Sequence, residues 1–325
     1  MSSSQIDVAV RVAIEALEAD TATPVEKIEM LLEMAHRLQQ KPEDGHPLEQ
    51  AIVLYDHALE LSQDQSPLLV ARSQVGKATA LRSLPTEDLE TLTVAKDLYE
   101  SALPVLQQYG DSVEWAETQM NLGLVMQSLV PHHRAQLPDC IRLYQEALDV
   151  FTAKAYPQEF AILQNNIAIA YLSMTSAIGR DDLKQAIAIQ TFEQALESIS
   201  LIDHPSEYAM LQNNLGNALQ YLPSTHPVDN NLRALKAYDE ALRVRTAHDT
   251  PLVYAHTIAN RANVLMNLPD DLENPENGNP KNLAQASTHY QEAEQIFLRY
   301  QQMAQAQTVR RAHTGIAQLL AEKVG

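Results

Sequence analysis

The stretch EFAILQNNIAIAYLSM, residues 159–174, returns in altered form as EYAMLQNNLGNALQYL, residues 207–222. The shared Leu-Gln-Asn-Asn begins at Leu163 and again at Leu211, 48 residues later. In both stretches apolar residues recur every three or four positions, which is typical of one face of an α-helix. The chain therefore contains at least two copies of a related helix, and this predicts a helical repeat protein.

Two sequence markers recur along the chain with the same period. The first is an aromatic residue followed three positions later by alanine, and it begins at Tyr55, Tyr99, Tyr144, Phe192, Tyr238 and Tyr290. The second is an alanine followed seven positions later by a small residue, and it begins at Ala71, Ala116, Ala161, Ala209 and Ala255. Thr308 and Gly315 continue the second series. Because both markers share a period of roughly 47 residues, the whole chain is interpreted as an array.

Each repeat combines two amphipathic helices. Proline or aspartate tends to mark the joints, and proline is tolerated in the first turn of a helix because its missing N–H would be unpaired there anyway. The predicted helical pairs begin near Pro24, Ser66, Asp111, Pro157, Pro205 and Pro251. We therefore predict an all-α chain with one domain, residues 1–325. Helical-hairpin repeats span 24–302, between an N-terminal capping helix within 1–20, at about 5–19, and a C-terminal capping helix at 303–322.

This pattern resembles the tetratricopeptide repeat (TPR) superfamily. The matching residues are the Asn-Leu-Gly of 121–123 and 214–216, and the Ala-x-x-x-Tyr-x-x-Ala of 51–58 and 234–241. The resemblance covers about residues 24–320. The repeats are longer than the usual 34 residues, so they look like the long-repeat variants of bacterial multi-TPR proteins and kinesin light chains. The resemblance implies a right-handed superhelical solenoid of about six hairpins.

The fourth repeat departs from the common frame. The sequence LKQAI, residues 183–187, resembles the start of the other second helices and would place the aromatic residue at position 190. Gln190 stands there, and the aromatic residue is Phe192. We predict that two extra residues shift the helical phase through a bulge.

Charge and composition restrict the possible partners. The chain carries 23 basic and 42 acidic side chains, a formal net charge of -19. Such a surface repels nucleic acid and anionic membranes, so neither is an expected partner. The start of the chain lacks the pattern of a secretory signal, and no apolar run reaches membrane-spanning length. Cys140 is the single cysteine. We therefore expect a soluble, cytoplasmic protein without an intramolecular disulfide.

The resemblance implies where a partner would bind. In TPR arrays the first helix of each pair lines the concave surface, and such helices use asparagine to hold peptides. The corresponding groove residues are Asn121, Asn166, Asn214 and Asn260, with Asn165, Asn213, Asn217, Asn263 and Tyr221 nearby. A primary amide offers donors and an acceptor together, so a column of amides can bind the backbone of an extended peptide. The alternative is that these amides tie neighbouring helices together.

Other candidate sites are weaker. The carboxylate clamp of chaperone-binding TPRs is not expected, because the positions one turn before the groove asparagines hold Glu117, Ile162, Met210 and His256 rather than lysine. His132 and His133 form too small a set for a metal site. The acidic loop at 269–282 lacks the ligand spacing of a calcium loop. We expect neither cofactor nor metal, and a packed thiol at Cys140.

The sequence favours a non-enzymatic scaffold or adaptor that binds a protein or an extended peptide segment in the groove. No catalytic motif of a common hydrolase, nucleotide-binding or metalloprotease type occurs. The first alternative is a self-assembling homo-oligomer that stacks through its terminal helices. A further alternative is an all-α enzyme or small-molecule sensor that uses the groove as a pocket. The identity and pathway of the partner are not encoded in these patterns.

Overall fold

The computed structural model of the chain describes residues 8–19, 21–40, 45–86, 88–174, 181–222 and 227–322. These residues form helices and loops, and none of them lies in a β-strand. The α-helices are α1 Val8–Ala19, α2 Pro24–Gln39, α3 His46–Ser62, α4 Pro67–Ser83, α5 Leu89–Tyr109, α6 Ser112–Leu129, α7 Leu137–Leu148, α8 Pro157–Ser173, α9 Asp181–Ser198, α10 Pro205–Gln220, α11 Pro227–Leu242, α12 Pro251–Met266, α13 Pro280–Arg299 and α14 Met303–Glu322. Two short 3-10 helices cover Val130–His132 and Pro275–Asn277.

The predicted order of elements is confirmed. Six hairpins follow α1, namely α2/α3, α4/α5, α6/α7, α8/α9, α10/α11 and α12/α13, and α14 follows the last of them. The first helix of each hairpin begins within one residue of its predicted start. Helix α1 begins at Val8, and residues 5–7 of the predicted helix lie outside the described residues. The predicted C-terminal helix agrees with α14.

The chain divides into two compact units, residues 1–152 and 153–325. The first unit contains α1 to α7 and the second contains α8 to α14. Within each unit the second helix of a hairpin packs on the first helix of the next hairpin, and neighbouring first helices also touch. This stacking buries a core that no hairpin could cover alone. The single domain over residues 1–325 stays a prediction.

Small residues in the first helices allow the repeat tyrosines to pack closely. Tyr144 on α7 lies over Gly123 on α6, and Tyr238 on α11 lies over Gly216 on α10. A β-carbon added at Gly123 would lie 2.4 Å from a ring atom of Tyr144, and one at Gly216 would lie 2.7 Å from Tyr238. Both tyrosines are fully buried. The small-residue marker therefore records the contact between the two helices of one hairpin.

The bulge predicted in the fourth hairpin is wrong. Helix α9 is a continuous α-helix, with no π-helical residue in its span. Leu183 of the LKQAI sequence is 62% exposed, whereas Ala188 and Phe192 are buried. Ala188 stands four residues before its aromatic residue, as Ala51 does before Tyr55. The LKQAI match is therefore coincidental, and burial selects a register two residues further along.

The terminal helices cover the ends of the array. In the first unit, Val10 of α1 belongs to a buried cluster with Ile28 and Leu31 of the first hairpin. In the second unit, Ala306 and Val309 of α14 share a cluster with Phe297 of α13. Each terminal helix thus shields apolar side chains that would otherwise face solvent, which is the capping role predicted for it.

Cys140 is expected to react very slowly with thiol reagents in the folded protein. Its side chain is fully buried, and its Sγ lies 3.4 Å from the Gln136 carbonyl oxygen, to which it donates. Burial raises the pKa of the thiol to about 11, so little of the reactive thiolate exists at neutral pH. Labelling with a maleimide before and after urea denaturation measures this. Equal labelling rates in both states would contradict the buried position.

Candidate functional site

Most repeat tyrosines donate hydrogen bonds to amides on the first helix of their own hairpin, whereas the Tyr99 hydroxyl pairs with the Thr79 hydroxyl at 2.8 Å. In the second unit, the Tyr238 hydroxyl donates to Asn217 Oδ1 at 2.7 Å, and the Tyr290 hydroxyl donates to Asn263 Oδ1. In the first unit, the Tyr144 hydroxyl donates to Gln127 Oε1 at 2.9 Å. Burial raises the pKa of all three tyrosines, so the hydroxyls keep the protons that they donate.

This bond fixes the direction of the groove amides. Because Asn217 and Asn263 each accept from a buried tyrosine through Oδ1, the NH₂ group of each amide is left to bind elsewhere. The fourth hairpin, which has no tyrosine hydroxyl at this position, supports the pairing of tyrosine with amide. There the aromatic residue is Phe192, and the two matching positions on α8 hold the apolar residues Ile169 and Leu172, which pack against the same core.

The asparagines of the repeated Leu-Gln-Asn-Asn bond to one another between helices. Asn214 Nδ2 on α10 donates to Asn165 Oδ1 on α8 at 2.7 Å. Asn165 Nδ2 lies 3.3 Å from Asn166 Oδ1, and Asn213 Nδ2 lies 3.2 Å from Asn214 Oδ1. Thr257 Oγ1 on α12 lies 3.2 Å from Asn213 Oδ1. A chain of amides therefore connects α8 with α10, and the Thr257 hydroxyl extends it to α12.

These amides are largely hidden from solvent. Asn165 is 3% exposed, and Asn166 and Asn213 are each 8% exposed. Asn166 Nδ2 is buried and has no hydrogen-bond partner among the described residues. The helix-tying alternative thus accounts for the hydrogen bonds of Asn165, Asn213 and Asn214. Binding of a partner by these residues stays a prediction.

A cleft of about 450 Å³ opens between the first helices of the first unit, α2, α4 and α6. Asn121 lies on its wall, as the sequence predicts for a groove residue. Arg72 on α4 and Glu114 on α6 form a two-pronged ion pair across it, with Nε to Oε1 at 2.7 Å and Nη2 to Oε2 at 3.1 Å. Gln39 is fixed at the rim, because its Nε2 donates to the Gly76 carbonyl oxygen at 2.9 Å. The cleft thus has a preorganised polar wall.

A second cleft of about 360 Å³ lies in the second unit between α12 and α14, with α13 beneath. Its wall includes Asn260 and Asn263 from the predicted set, together with His256, Tyr290 and Phe297. The ring centroids of His256 and Phe297 are 4.8 Å apart. Burial and the nearby Arg245 guanidinium lower the pKa of His256, so this imidazole is neutral at pH 7. The cleft therefore pairs an apolar floor with neutral hydrogen-bonding groups.

Tyr221, the remaining predicted residue, ends α10 and is 67% exposed. Its backbone carbonyl accepts from Gln185 Nε2 at 3.3 Å. Its phenol lies near enough to Tyr238 and Tyr290 to add to the rise in their pKa that burial causes. The structure thus brings Tyr221 to the side of the unit that carries Asn217 and Asn263.

Sequence reasoning missed several residues at these sites. Arg72 and Glu114 escaped notice because an ion pair between helices 42 residues apart leaves no local pattern. Arg245 escaped notice although its repeat position could have revealed it.

No cluster of three or more His, Cys, Asp or Glu side chains suited to a metal ion occurs in the described part of the chain. Across the same residues, no helix has both the length and the apolar character required to cross a bilayer.

No protein-family model matches the chain, and no curated protein matches its sequence. Solved structures do match. The apo form of RapI covers 91% of this chain and 99% of its own, with 14% identity and a TM-score of 0.55. The apo form of the quorum sensor NprR from B. thuringiensis covers 94% of this chain and 92% of its own, with 14% identity and a TM-score of 0.58.

Two further matches extend the comparison. NprR in complex with its cognate peptide NprX has 15% identity and a TM-score of 0.52, over 96% of this chain and 84% of its own. A signal transduction ATPase of the STAND class with a tetratricopeptide repeat sensor, from Pyrococcus horikoshii, has 15% identity and a TM-score of 0.60. It aligns with 93% of this chain but over only 42% of its own length. The fold is therefore that of TPR-like helical repeat proteins.

Proposed function

We propose that this protein is a non-enzymatic interaction scaffold that binds an extended peptide segment of a partner protein in the clefts of its two units. The observation that carries the proposal is the second-unit cleft. There Asn263 turns its NH₂ group away from Tyr290, and Asn260 stands beside an apolar floor that includes Phe297. Amide donors above an apolar floor suit a peptide, which offers carbonyl oxygens and side chains together.

Fold and charge add support. NprR, which shares the fold, has been solved with its cognate peptide NprX. The net charge of -19 opposes binding to nucleic acid and to anionic membranes, so a protein segment is the proposed partner. The proposed action is binding alone. It requires only that the clefts be preorganised, as the tyrosine bonds and the Arg72–Glu114 pair make them.

Panning a phage library of random twelve-residue peptides on the immobilised protein tests this function. We expect enriched peptides whose binding weakens about three- to tenfold in Asn260→Ala, because one hydrogen bond is lost. Ala304→Trp should weaken binding more, because Ala304 lines the cleft and an indole would occupy it. Affinities are measured by fluorescence anisotropy with the synthetic peptides.

Asn267→Ala is the matched control. Asn267 follows α12 immediately and is exposed, but it does not line the cleft. A library that yields no enriched peptide contradicts the proposed function. Peptides that bind the Asn260→Ala and Ala304→Trp variants at wild-type affinity would place the binding surface outside this cleft.

A further inference from the structure

Arg245 occupies a repeat position that is apolar or small in the other hairpins. Counting seven residues after each repeat aromatic gives Ser62, Leu106, Phe151, Ile199, Arg245 and Phe297. All of these except Arg245 are buried. Two of them, Leu106 and Phe297, also line the two clefts. An arginine thus stands in the fifth hairpin where its neighbours in the array place a core side chain.

The guanidinium of Arg245 has no carboxylate partner among the described residues. Its Nη1 donates to Thr257 Oγ1 at 2.8 Å, and no Asp or Glu of that part of the chain lies within ion-pair distance. Arg261, also partly buried, instead pairs with Asp239 at 2.7 Å. Burial lowers the pKa of Arg245 to about 10, so the side chain still carries its charge at pH 7. A partly buried, uncompensated cation is unusual in a chain with a net charge of -19.

This cation lies beside the second-unit cleft but does not line it. Its contact residue Thr257 is on α12, one position from His256, which lines the cleft and whose pKa the guanidinium helps to lower. The same helix carries Asn260 and Asn263, and the Oδ1 of Asn263 is already occupied by Tyr290. The cleft wall on α12 therefore presents hydrogen-bond donors, and Arg245 adds a positive charge next to it, on the side of α12 that meets α10, with no matching anion from the described residues.

We infer that Arg245 is a specificity-determining residue that binds the carboxylate of an aspartate or glutamate side chain in a peptide held by the second-unit cleft. The inference rests on the proposed function and names the chemistry of its ligand. A carboxylate can accept two N–H groups of a guanidinium at once, and such charge-assisted bonds are stronger in partly desolvated sites. The bound carboxylate would supply the compensation that the protein does not give to this cation.

Packing does not require the arginine. Leu106 fills the corresponding place in the second hairpin, so Arg245→Leu should fold and melt at the wild-type temperature or slightly above it. This separates a binding role from a structural one. Arg243→Leu is the matched control. It removes the same charge two residues before Arg245, where the arginine is exposed and paired with Glu240.

The test uses synthetic copies of the peptides enriched by phage panning, each amidated at its C-terminus. Every peptide is made in two forms, an acidic form with its Asp or Glu and an amide form with the matching Asn or Gln side chain. For the wild type and for Arg243→Leu, we expect the acidic peptide to bind about tenfold tighter or more than its amide form. For Arg245→Leu, we expect the two forms to bind equally. Fluorescence anisotropy measures both affinities for each protein, and the same pair of peptides with a free C-terminus is measured alongside.

Three outcomes would overturn the inference. The first is a wild-type protein that binds the acidic and amide peptides equally, and the second is an Arg245→Leu variant that keeps the preference. The third is a preference that appears only for copies with a free terminal carboxylate, which would assign Arg245 to chain ends. Peptides enriched without an acidic bias contradict this inference alone, whereas a failure to enrich any peptide contradicts the proposed function.

Discussion

Replacing Gly123 by valine is expected to destabilise the first unit by about 3 kcal/mol, at the upper end of the cost of overpacking a core. A β-carbon at this position would lie 2.4 Å from Tyr144, whose ring is fully buried between α6 and α7 and cannot move into solvent. The two helices of the third hairpin must separate, or the ring must leave its rotamer. Urea denaturation followed by circular dichroism measures the loss.

Gly315 provides a control within the same series of small residues. It stands in α14 at the corresponding position, but a β-carbon added there meets nothing within 4 Å. Gly315→Ala should therefore stabilise the protein by up to about 1 kcal/mol, because alanine favours a helix interior over glycine. If Gly123→Val unfolds at the wild-type urea concentration, the close tyrosine contact does not constrain the hairpin.

Removing the amides of Asn165 and Asn213 together is expected to destabilise the second unit by about 2–4 kcal/mol, since buried partners are left unsatisfied. Asn165→Ala deprives Asn214 Nδ2 of its 2.7 Å acceptor, and Asn213→Ala removes an acceptor near Thr257. Both changes also open small cavities at buried positions. Thermal denaturation of the double variant measures the effect.

Asn260→Ala is the matched control for this prediction. Asn260 lies on α12 at the repeat position of Asn214, but it faces the cleft and is partly exposed. Its replacement should change the free energy of unfolding by less than about 0.5 kcal/mol, as for other surface positions. A double variant that melts like the wild type, with binding lost instead, would restore Asn165 and Asn213 to the binding surface.

The positions of the helices could be predicted because each hairpin repeats the same local signals. Proline or aspartate at the joints and a fixed aromatic-to-alanine spacing recur in nearly every repeat, so errors in one are corrected by the others. The LKQAI error shows the limit of this reasoning. A short sequence match does not show which residues are buried, and here Leu183 is exposed while Ala188 takes the core position.

The candidate site could be predicted only in part. Sequence identified the asparagines, but an amide can bond to a helix or to a ligand with equal chemical ease, so the pattern alone could not tell which of them bond to a neighbouring helix. Asn165 stands four residues after the marker alanine of its repeat and Asn260 stands five after its own, so their side chains leave the helix in different directions. Arg245 was visible in the sequence as the one charged residue at its repeat position, but this position became informative only when its equivalents proved to be buried. The division of the chain into two units near residue 152 could not be predicted from the sequence, because the repeat markers continue across it.

The hydroxyl of the repeat tyrosine has a consequence for how such a protein can change its ligands. The Tyr290 ring is buried, yet its hydroxyl determines which end of the Asn263 amide faces outward. Where the array carries Phe192 instead, the positions above it are apolar. A buried hydroxyl thus accompanies polar side chains at these positions, and its absence accompanies apolar ones. Paired substitutions in the two helices of one hairpin would therefore change the polarity of such a surface without changing how the hairpins stack.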